Sequence, residues 1–330
     1  MSSDKALYGR VIGIGSYLPE DILTNDDMAK IVDTSDEWIT ERTGIKERHI
    51  SDPDKDTSES MAVEAAKRAV QDAGIDPSEI GLVIVACTTP NVLFPVLSAS
   101  VQAAVDADNA MCFDINAACP GFVTAYVTAQ NYIRSGAVEC ALVVGTENLS
   151  NYMNFEDRGT CILFGDGAGA CVLKADSDVK YDALMRAAGK RRECMRCESY
   201  MQKGREKNEE FLKSNYIMMD GQTVFKFAVT EVPRIIEDLL SKTGTSPDEI
   251  DYFILHQANR RIIESVAKRL KQPIEKFPMN IEKTANTSSA SIPILLDEMK
   301  KDGRIGEGKK RVIMSSFGAG LLWGAFETTI

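Results

Sequence analysis

An internal repeat constrains the fold of this chain more than any other feature of its sequence. The segment GIDPSEI at residues 74–80 recurs as GTSPDEI at residues 244–250. Each copy follows a stretch with helical periodicity and runs directly into an apolar segment typical of a buried strand. A second matched pair, FGDG at 164–167 and FGAG at 317–320, stands before a closing apolar strand in the same order. Two ordered matches predict two similar α/β halves packed on each other.

The repeat also predicts where the chain divides. We expect a first half over residues 1–175 and a second half over residues 216–330. The joining residues 176–215 are rich in Lys, Arg and Glu, with methionines scattered among them, and we interpret them as an exposed excursion or lid. Continuous apolar strands such as 141–144 are typical of sheets that helices cover on both faces. The predicted fold class is therefore α/β.

Local signals predict where two helices begin. The pattern TSDE at residues 34–37 has the form of a capping box, and the helix that follows would carry Trp38 and Arg42 on one face. Pro120 suits the first turn of a second helix, because that turn needs no hydrogen bond from its first N–H group. We expect this second helix to end just before Gly136.

Composition limits the functional class. The 330 residues are 44% hydrophobic, enough for a large core, yet no run of 18 apolar residues occurs. Most of the eight cysteines lie in or beside apolar runs, and the start lacks a signal-peptide pattern. We therefore expect a cytoplasmic protein with reduced thiols and no membrane association. The net charge of −11 argues against nucleic acid as a partner. GIG at 13–15 and CMRC at 194–197 are incomplete motifs, so no dinucleotide and no metal are expected.

Cys119, His256 and Asn286 are the candidate catalytic residues. Cys119 stands just before the helix predicted from Pro120, where free N–H groups and the helix dipole favour its thiolate. His256 follows the apolar run 252–255, and Asn286 lies in a Thr/Ser/Asn cluster. Such a set at strand and loop ends indicates an acyl-transferring thiol enzyme. Taken singly, a buried apolar cysteine, a structural histidine and a helix-capping asparagine remain alternatives.

A basic cluster follows His256 directly. It contains five cations within twelve residues: Arg260, Arg261, Lys268, Arg269 and Lys271. Helical spacing places Arg261 and Lys268 on one face and the apolar residues on the opposite face. The cluster is either a solvated helix face or a docking site for an acidic partner.

Seven motifs together resemble β-ketoacyl-acyl carrier protein synthase III. They are TSDEWITERTGIKERHI at 34–50, NAACPGF at 116–122, DRGT at 157–160, FGDGAGA at 164–170, HQANRRI at 256–262, NTSSAS at 286–291 and FGAGLLWG at 317–324. The motifs extend through most of the chain in the family's order and are absent only near 176–215. The resemblance implies a thiolase-like five-layered αβαβα fold built from two similar halves.

The resemblance implies a two-stage reaction that initiates fatty acid synthesis. Cys119 would take an acyl group from a short acyl-CoA, expected to be acetyl-CoA. Malonyl-acyl carrier protein would then lose carbon dioxide while His256 and Asn286 stabilise the enolate. The enolate would attack the acyl-cysteine, whose oxyanion would meet the backbone N–H groups of Cys119 and Ala319. Acyl-CoA is a substrate here, so no cofactor is implied.

The resemblance also assigns binding roles. Four residues would hold coenzyme A: Trp38, Arg42, Arg158 and Asn259. Four others would line the acyl pocket: Phe94, Leu149, Phe164 and Phe317. Three would meet the acidic carrier protein: Arg261, Lys268 and Arg269. Phe94 would reach the pocket from the other subunit, which predicts a homodimer.

Departures from the family pattern leave alternatives open, among them the divergent segment 176–215 and the end FGAGLL at 317–322. Pro120 follows the nucleophile where a small residue is common, and Ala319 stands in a stretch that is usually richer in glycine, which predicts a constrained oxyanion loop. One alternative is a related acyltransferase or starter-loading condensing enzyme of a specialised pathway. Another is a dimeric binding module without catalysis, against which the intact Cys, His and Asn set argues.

Overall fold

The computed structural model describes residues 6–198, 215–306 and 308–330. The strands are β1 Tyr8–Tyr17, β2 Ile22–Thr24, β3 Glu47–His49, β4 Leu82–Ala86, β5 Met111–Ile115, β6 Cys140–Glu147, β7 Gly167–Asp176, β8 Tyr181–Ala187, β9 Met195–Arg196, β10 Met218–Met219, β11 Tyr252–Leu255, β12 Arg311–Gly318 and β13 Leu322–Thr329. The α-helices are α1 Asn25–Ile31, α2 Asp36–Thr43, α3 Ser58–Ala73, α4 Leu97–Ala104, α5 Gly121–Arg134, α6 Arg158–Cys161, α7 Gly221–Thr243, α8 Arg260–Leu270, α9 Ile281–Thr284 and α10 Ser291–Lys301.

The two main sheets repeat one strand order. The first sheet runs β1-β7-β6-β4-β5, and the second, read from β8, runs β8-β13-β12-β11. In both sheets the first three strands pair antiparallel, and the fourth pairs parallel with the third. The prediction of two similar halves is confirmed.

The repeated segments have the same local structure in both halves. Gly74 and Gly244 end α3 and α7 in the left-handed conformation, which glycine adopts without a Cβ clash. Short 3₁₀ helices follow at Pro77–Glu79 and Pro247–Glu249, and each begins with a capping box at its N-terminus. These turns lead the chain into β4 and β11, so the repeated segment precedes the corresponding parallel strand in each sheet.

The helices and sheets form five layers. Helices α3 and α4 pack on the outer face of the first sheet, and α7 and α8 pack on the outer face of the second. Helices α5 and α10 lie between the sheets in one apolar cluster with residues from both. The Tyr126 ring of α5 stacks on Phe326 of β13 at 4.3 Å between centroids. The αβαβα prediction is thus confirmed, with α5 and α10 in the central layer.

Part of the predicted excursion belongs to the second sheet. Strand β8 lies within 176–215 and pairs along β13, from Leu322 with Ala187 to Thr328 with Tyr181. This part of the excursion prediction is wrong, because a half-exposed edge strand lacks the continuous apolar run of a central strand. Residues 199–214 of the predicted range lie outside the described residues. The division of the chain at 175 and 216 stays a prediction.

The predicted helix starts are close to the observed ones. Helix α2 begins one residue later than the capping box suggested, because Ser35 rather than Thr34 accepts the backbone N–H of Trp38. Helix α5 begins at Gly121 with Pro120 as its N-cap and ends before Gly136. Within the described part of the chain, no helix is long and apolar enough to cross a membrane.

Candidate active site

Cys119 lies in a tight, buried bend directly before the central helix α5. Its side chain is only 7% exposed, and the preceding Ala118 has a left-handed φ of 51°. A Cβ on Gly318 would come within 3.0 Å of the Cys119 backbone nitrogen, so only glycine lets β12 approach this closely. The bend thus holds the thiol against the end of β12, in the second half of the chain.

The environment of Cys119 opposes the thiolate that the sequence predicted. Burial raises the pKa of the Cys119 thiol to about 11, the hydrogen bond with Ser288 lowers it, and the Glu147 carboxylate raises it. Desolvation of a buried anion thus acts against the favourable helix terminus, and the thiolate stays a prediction.

His256 is a buried, neutral imidazole at the end of β11. Burial lowers the pKa of His256 from 6.5 to about 3, so the ring carries no charge near neutral pH. Its Nδ1 lies 2.7 Å from the Ser291 Oγ at the start of α10. Its ring packs edge-on against Phe317 at 5.6 Å between centroids. Contacts on two sides fix the direction in which Nε2 points.

Asn286 is oriented by its own loop. Its Oδ1 accepts the backbone N–H of Ser288 at 2.9 Å, which leaves the amide NH₂ as the group available for another partner. The preceding Ala285 and the following Ser288 both have left-handed φ values, 53° and 50°. Non-glycine residues held in this region indicate a functional constraint, because the conformation costs about 1–2 kcal/mol per residue.

One cavity brings together residues from both halves of the chain. It has a volume of about 570 Å³ and is lined by Cys119, His256 and Asn286. The same cavity is lined by the four residues predicted to hold coenzyme A, which are Trp38, Arg42, Arg158 and Asn259. The guanidinium carbons of Arg42 and Arg158 lie 4.6 and 4.8 Å from the centroid of the Trp38 ring. A cationic, aromatic mouth therefore leads to the three candidate catalytic residues.

A second cavity meets the first at Cys119. It has a volume of about 590 Å³, and its lining includes Leu149, Phe164 and the oxyanion candidate Ala319. Phe317 lines the first cavity instead, beside His256. Phe94 is 83% exposed and lines neither cavity within its own chain. Ala319 is not among the described residues with left-handed φ, so the predicted constraint from its Cβ does not arise.

The basic cluster forms one face of α8. The opposite face, which includes Ile262, Ile263 and Val266, is buried against the second sheet. Arg261 lies over the Phe225 ring at 5.4 Å and lines the first cavity. Arg269 forms two hydrogen bonds with Glu237 of α7, while Lys268 is exposed. Asn259 caps α8 and donates to the Arg42 carbonyl at 3.0 Å, which joins this helix to α2.

Three polar residues of the site were missed by the sequence reasoning. Ser288 Oγ lies 3.4 Å from Cys119 Sγ and 3.2 Å from Glu147 Oε1, and Ser291 contacts His256. Glu147 ends the otherwise uncharged strand β6 and is completely buried. A single carboxylate after a continuous apolar strand was the signal that could have identified it.

The two stacked sheets, with a buried thiol, a neutral imidazole and an amide around one cavity, define a thiolase-fold enzyme of the acyl-transferring class. Known proteins are similar along almost the whole chain. Family models described as 3-oxoacyl-[acyl-carrier-protein] synthase III, and as its C-terminal part, match residues 113–189 and 240–329. The β-ketoacyl-[acyl-carrier-protein] synthase III of Clostridium acetobutylicum is 46% identical over 316 residues, 96% of either chain. The chain belongs to the β-ketoacyl-acyl carrier protein synthase III family.

Solved structures agree with this assignment. The crystal structure of 3-oxoacyl-[acyl-carrier-protein] synthase III from Aquifex aeolicus has a TM-score of 0.89 at 43% identity, covering 98% of this chain and 100% of that one. The priming β-ketosynthase of a polyketide biosynthetic pathway has a TM-score of 0.92 at 34% identity, covering 100% and 98%. The family comprises condensing enzymes, so the catalytic alternative is favoured over a binding module.

Proposed function

We propose that the protein condenses a short acyl-CoA, in the first place acetyl-CoA, with malonyl-acyl carrier protein. The product is a 3-oxoacyl-acyl carrier protein, and the reaction initiates fatty acid synthesis. The observation that carries the proposal is the convergence of Cys119, His256 and Asn286 on one cavity. The eight free thiols support a cytoplasmic location.

The first stage transfers the acyl group to the enzyme. The Cys119 sulfur attacks the thioester carbonyl, and the bond to the sulfur of coenzyme A breaks. The backbone N–H groups of Cys119 and Ala319 meet the oxyanion that forms, because both residues line the second cavity beside the reacting sulfur. Coenzyme A then leaves through the mouth at Trp38.

The second stage needs donors without charge. With Ser291 donating its hydroxyl hydrogen to Nδ1, the neutral His256 ring carries its own proton on Nε2. This N–H group and the Asn286 NH₂ group both donate hydrogen bonds to the malonyl thioester oxygen as carbon dioxide leaves and the enolate develops. Each such donor contributes about 10²–10³ in rate. The enolate carbon then attacks the acyl-cysteine carbonyl, the carbon–sulfur bond breaks with its electron pair on Cys119 Sγ, and the sulfur takes up a proton to restore the thiol.

The mouth of the first cavity is suited to the nucleotide of coenzyme A. Arg42 and Arg158 supply positive charge for phosphates, and Trp38 supplies a flat surface for adenine. Arg158 also donates to the Asp33 carbonyl at 2.7 Å. Its guanidinium must lift from the indole before an adenine ring can enter between the two groups.

The exposed face of α8 is the proposed docking site for the acidic carrier protein. Arg261 stands at the cavity mouth, and Lys268 and Arg269 extend the basic face along the helix. A carrier held there would aim its prosthetic arm down the first cavity. Arg269 is already paired with Glu237, so we expect it to contribute less than the other two.

A homodimer is proposed from the edge of the first sheet. Strand β5 is the last strand of that sheet, and its first residue, Met111, is 48% exposed. The loop before α4 exposes Leu93 at 66% and Phe94 at 83%. An unpaired edge strand beside exposed apolar side chains can pair with, and be covered by, a second copy of the chain. In that arrangement Phe94 would enter the partner's second cavity.

A two-step labelling assay tests the proposal. The enzyme is incubated with radiolabelled acetyl-CoA, and malonyl-acyl carrier protein is added afterwards. We expect label on Cys119 first, then labelled acetoacetyl-acyl carrier protein with release of carbon dioxide. A Cys119→Ser variant that condenses at the wild-type rate would refute the mechanism.

A second candidate is the loading of a different starter group in a specialised pathway. It is favoured by the likeness to the priming β-ketosynthase and by a second cavity much larger than an acetyl group. A series of straight and branched acyl-CoA substrates separates the two. A kcat/KM that is highest for acetyl-CoA supports the first candidate, and a maximum at a longer or branched acyl group supports the second.

A further inference from the structure

We propose that Glu147 accepts the proton of the Cys119 thiol through the hydroxyl of Ser288 when the acyl group is transferred. The inference rests on the proposed function and adds the step by which a buried thiol becomes a nucleophile. Ser288 touches the reacting sulfur, whereas Glu147 acts only through Ser288.

The three groups form a continuous chain. Ser288 Oγ is 3.4 Å from Cys119 Sγ and 3.2 Å from Glu147 Oε1. One hydroxyl group has one hydrogen, so Ser288 can accept from the thiol while it donates to the carboxylate. All three side chains are buried, with Glu147 completely so.

The two oxygens of Glu147 have different surroundings. Oε2 accepts three hydrogen bonds, from the Thr88 N–H, the Thr88 hydroxyl and the Thr89 hydroxyl, at 3.1, 2.7 and 2.8 Å. Among the described residues, the donors to Oε1 are Ser288 and Ser289, the latter at 2.9 Å. Threonine donors hold one oxygen in place, and the other faces the nucleophile.

The carboxylate is also a stronger base than an exposed one. Burial raises the pKa of Glu147, and the hydrogen bonds from Thr88, Thr89 and Ser289 lower it in part. The titratable groups that interact with its charge are Cys119 and Cys87, and burial raises the pKa of both thiols. Burial thus favours the protonated Cys119 thiol and makes Glu147 a better acceptor for its proton than an exposed carboxylate would be.

The transfer is balanced in protons and electrons. As Cys119 Sγ bonds to the acyl carbon, its proton passes to Ser288 Oγ, and the Ser288 proton passes to Glu147 Oε1. When the acyl–sulfur bond of coenzyme A breaks, its electron pair stays on the departing sulfur. The proton returns from Glu147 through Ser288 to that sulfur, so coenzyme A leaves as a thiol and the carboxylate is restored.

The test is the pH profile of a single turnover. Wild type, Glu147→Gln and Ser288→Ala are mixed with radiolabelled acetyl-CoA, and the rate of label transfer to Cys119 is measured from pH 7 to 9. Wild type should give a flat profile, because the proton stays within the Cys119 and Glu147 pair. Both variants should be about 10²-fold slower at pH 7 and should gain about tenfold per pH unit, because the thiolate must then form by proton loss to solvent.

Ser289→Ala is the matched control. Ser289 shares its one hydroxyl hydrogen between the same Glu147 oxygen and the Ala86 carbonyl, and among the described residues it has no hydrogen bond with Cys119. This variant should keep the flat profile. Thermal unfolding of every variant checks that it is folded. If Glu147→Gln does not fold, the pH profile of Ser288→Ala alone tests the relay.

Three results would overturn the relay. A wild-type rate that itself rises tenfold per pH unit would show that solvent takes the proton. A Glu147→Gln variant that is faster at pH 7 would show that the carboxylate merely hinders ionisation. A variant slowed by the same factor at every pH would show a structural role. Absence of label on wild-type Cys119 would instead refute the proposed function itself.

Discussion

The Asn286→Asp substitution removes the hydrogen-bond donor proposed for the enolate, with almost no change in the shape of the side chain. The carboxylate can still accept the Ser288 N–H at the position of Oδ1, so the loop that carries Ser288 should keep its conformation. What changes is the other end of the group, where the NH₂ that we propose as the donor to the substrate becomes an anionic oxygen. One donor is lost, and a negative charge is placed beside a developing enolate.

The expected loss can be estimated from these two changes. Removal of one preorganised donor costs about 2.7–4 kcal/mol, or about 10²–10³ in rate. Repulsion between the new carboxylate and the enolate adds to this loss in a buried site. We therefore expect decarboxylation of malonyl-acyl carrier protein to fall by at least about 10²-fold.

Release of radiolabelled carbon dioxide from malonyl-acyl carrier protein measures this step separately from acyl transfer. Label transfer from acetyl-CoA to Cys119 is measured on the same preparation and should fall much less. Decarboxylation within about threefold of wild type would refute the role of Asn286, because a lost oxyanion donor has a larger effect.

Three further predictions follow from the site. Trp38→Ala should raise KM for acetyl-CoA about tenfold with little change in kcat, and leave KM for acetyl-pantetheine unchanged, because only the nucleotide meets the ring. Lys268→Glu should lower kcat/KM for malonyl-acyl carrier protein but not for malonyl-CoA, and higher salt should shrink the difference. His256 has a folded pKa of about 3, against 6.5 when unfolded, so below pH 6.5 only the unfolded state takes its proton. The free energy of unfolding should lose up to about 1.4 kcal/mol per pH unit from pH 6.5 to 3, and His256→Asn should lack this component in chemical denaturation.

The features predicted well from the sequence are those encoded locally. The repeated segments 74–80 and 244–250 each combine a left-handed glycine, a proline-led 3₁₀ turn and a capping box. These signals need only neighbouring residues, so they could be read without a structure. Strand β8 was missed because it is a half-exposed edge strand with mixed polar and apolar residues.

The features predicted poorly depend on segments distant in the chain. A helix terminus beside Cys119 is a local property, but the burial that raises its pKa arises only when distant segments, such as Gly318 of β12, pack against it. The role of Glu147 likewise exists only because the loop at 288–289 folds over the end of β6. No spacing rule connects residues 119, 147 and 288 before the two halves are assembled.

The most direct test of the account is to locate the acyl group after the first stage. The protein is treated with acetyl-CoA alone, digested at low pH to preserve thioesters, and its cysteine peptides are analysed by mass spectrometry. The account predicts one acetyl group on the peptide that contains Cys119, removed when malonyl-acyl carrier protein is added. An acetyl group on the exposed Cys197 instead, or on no cysteine at all, would contradict it.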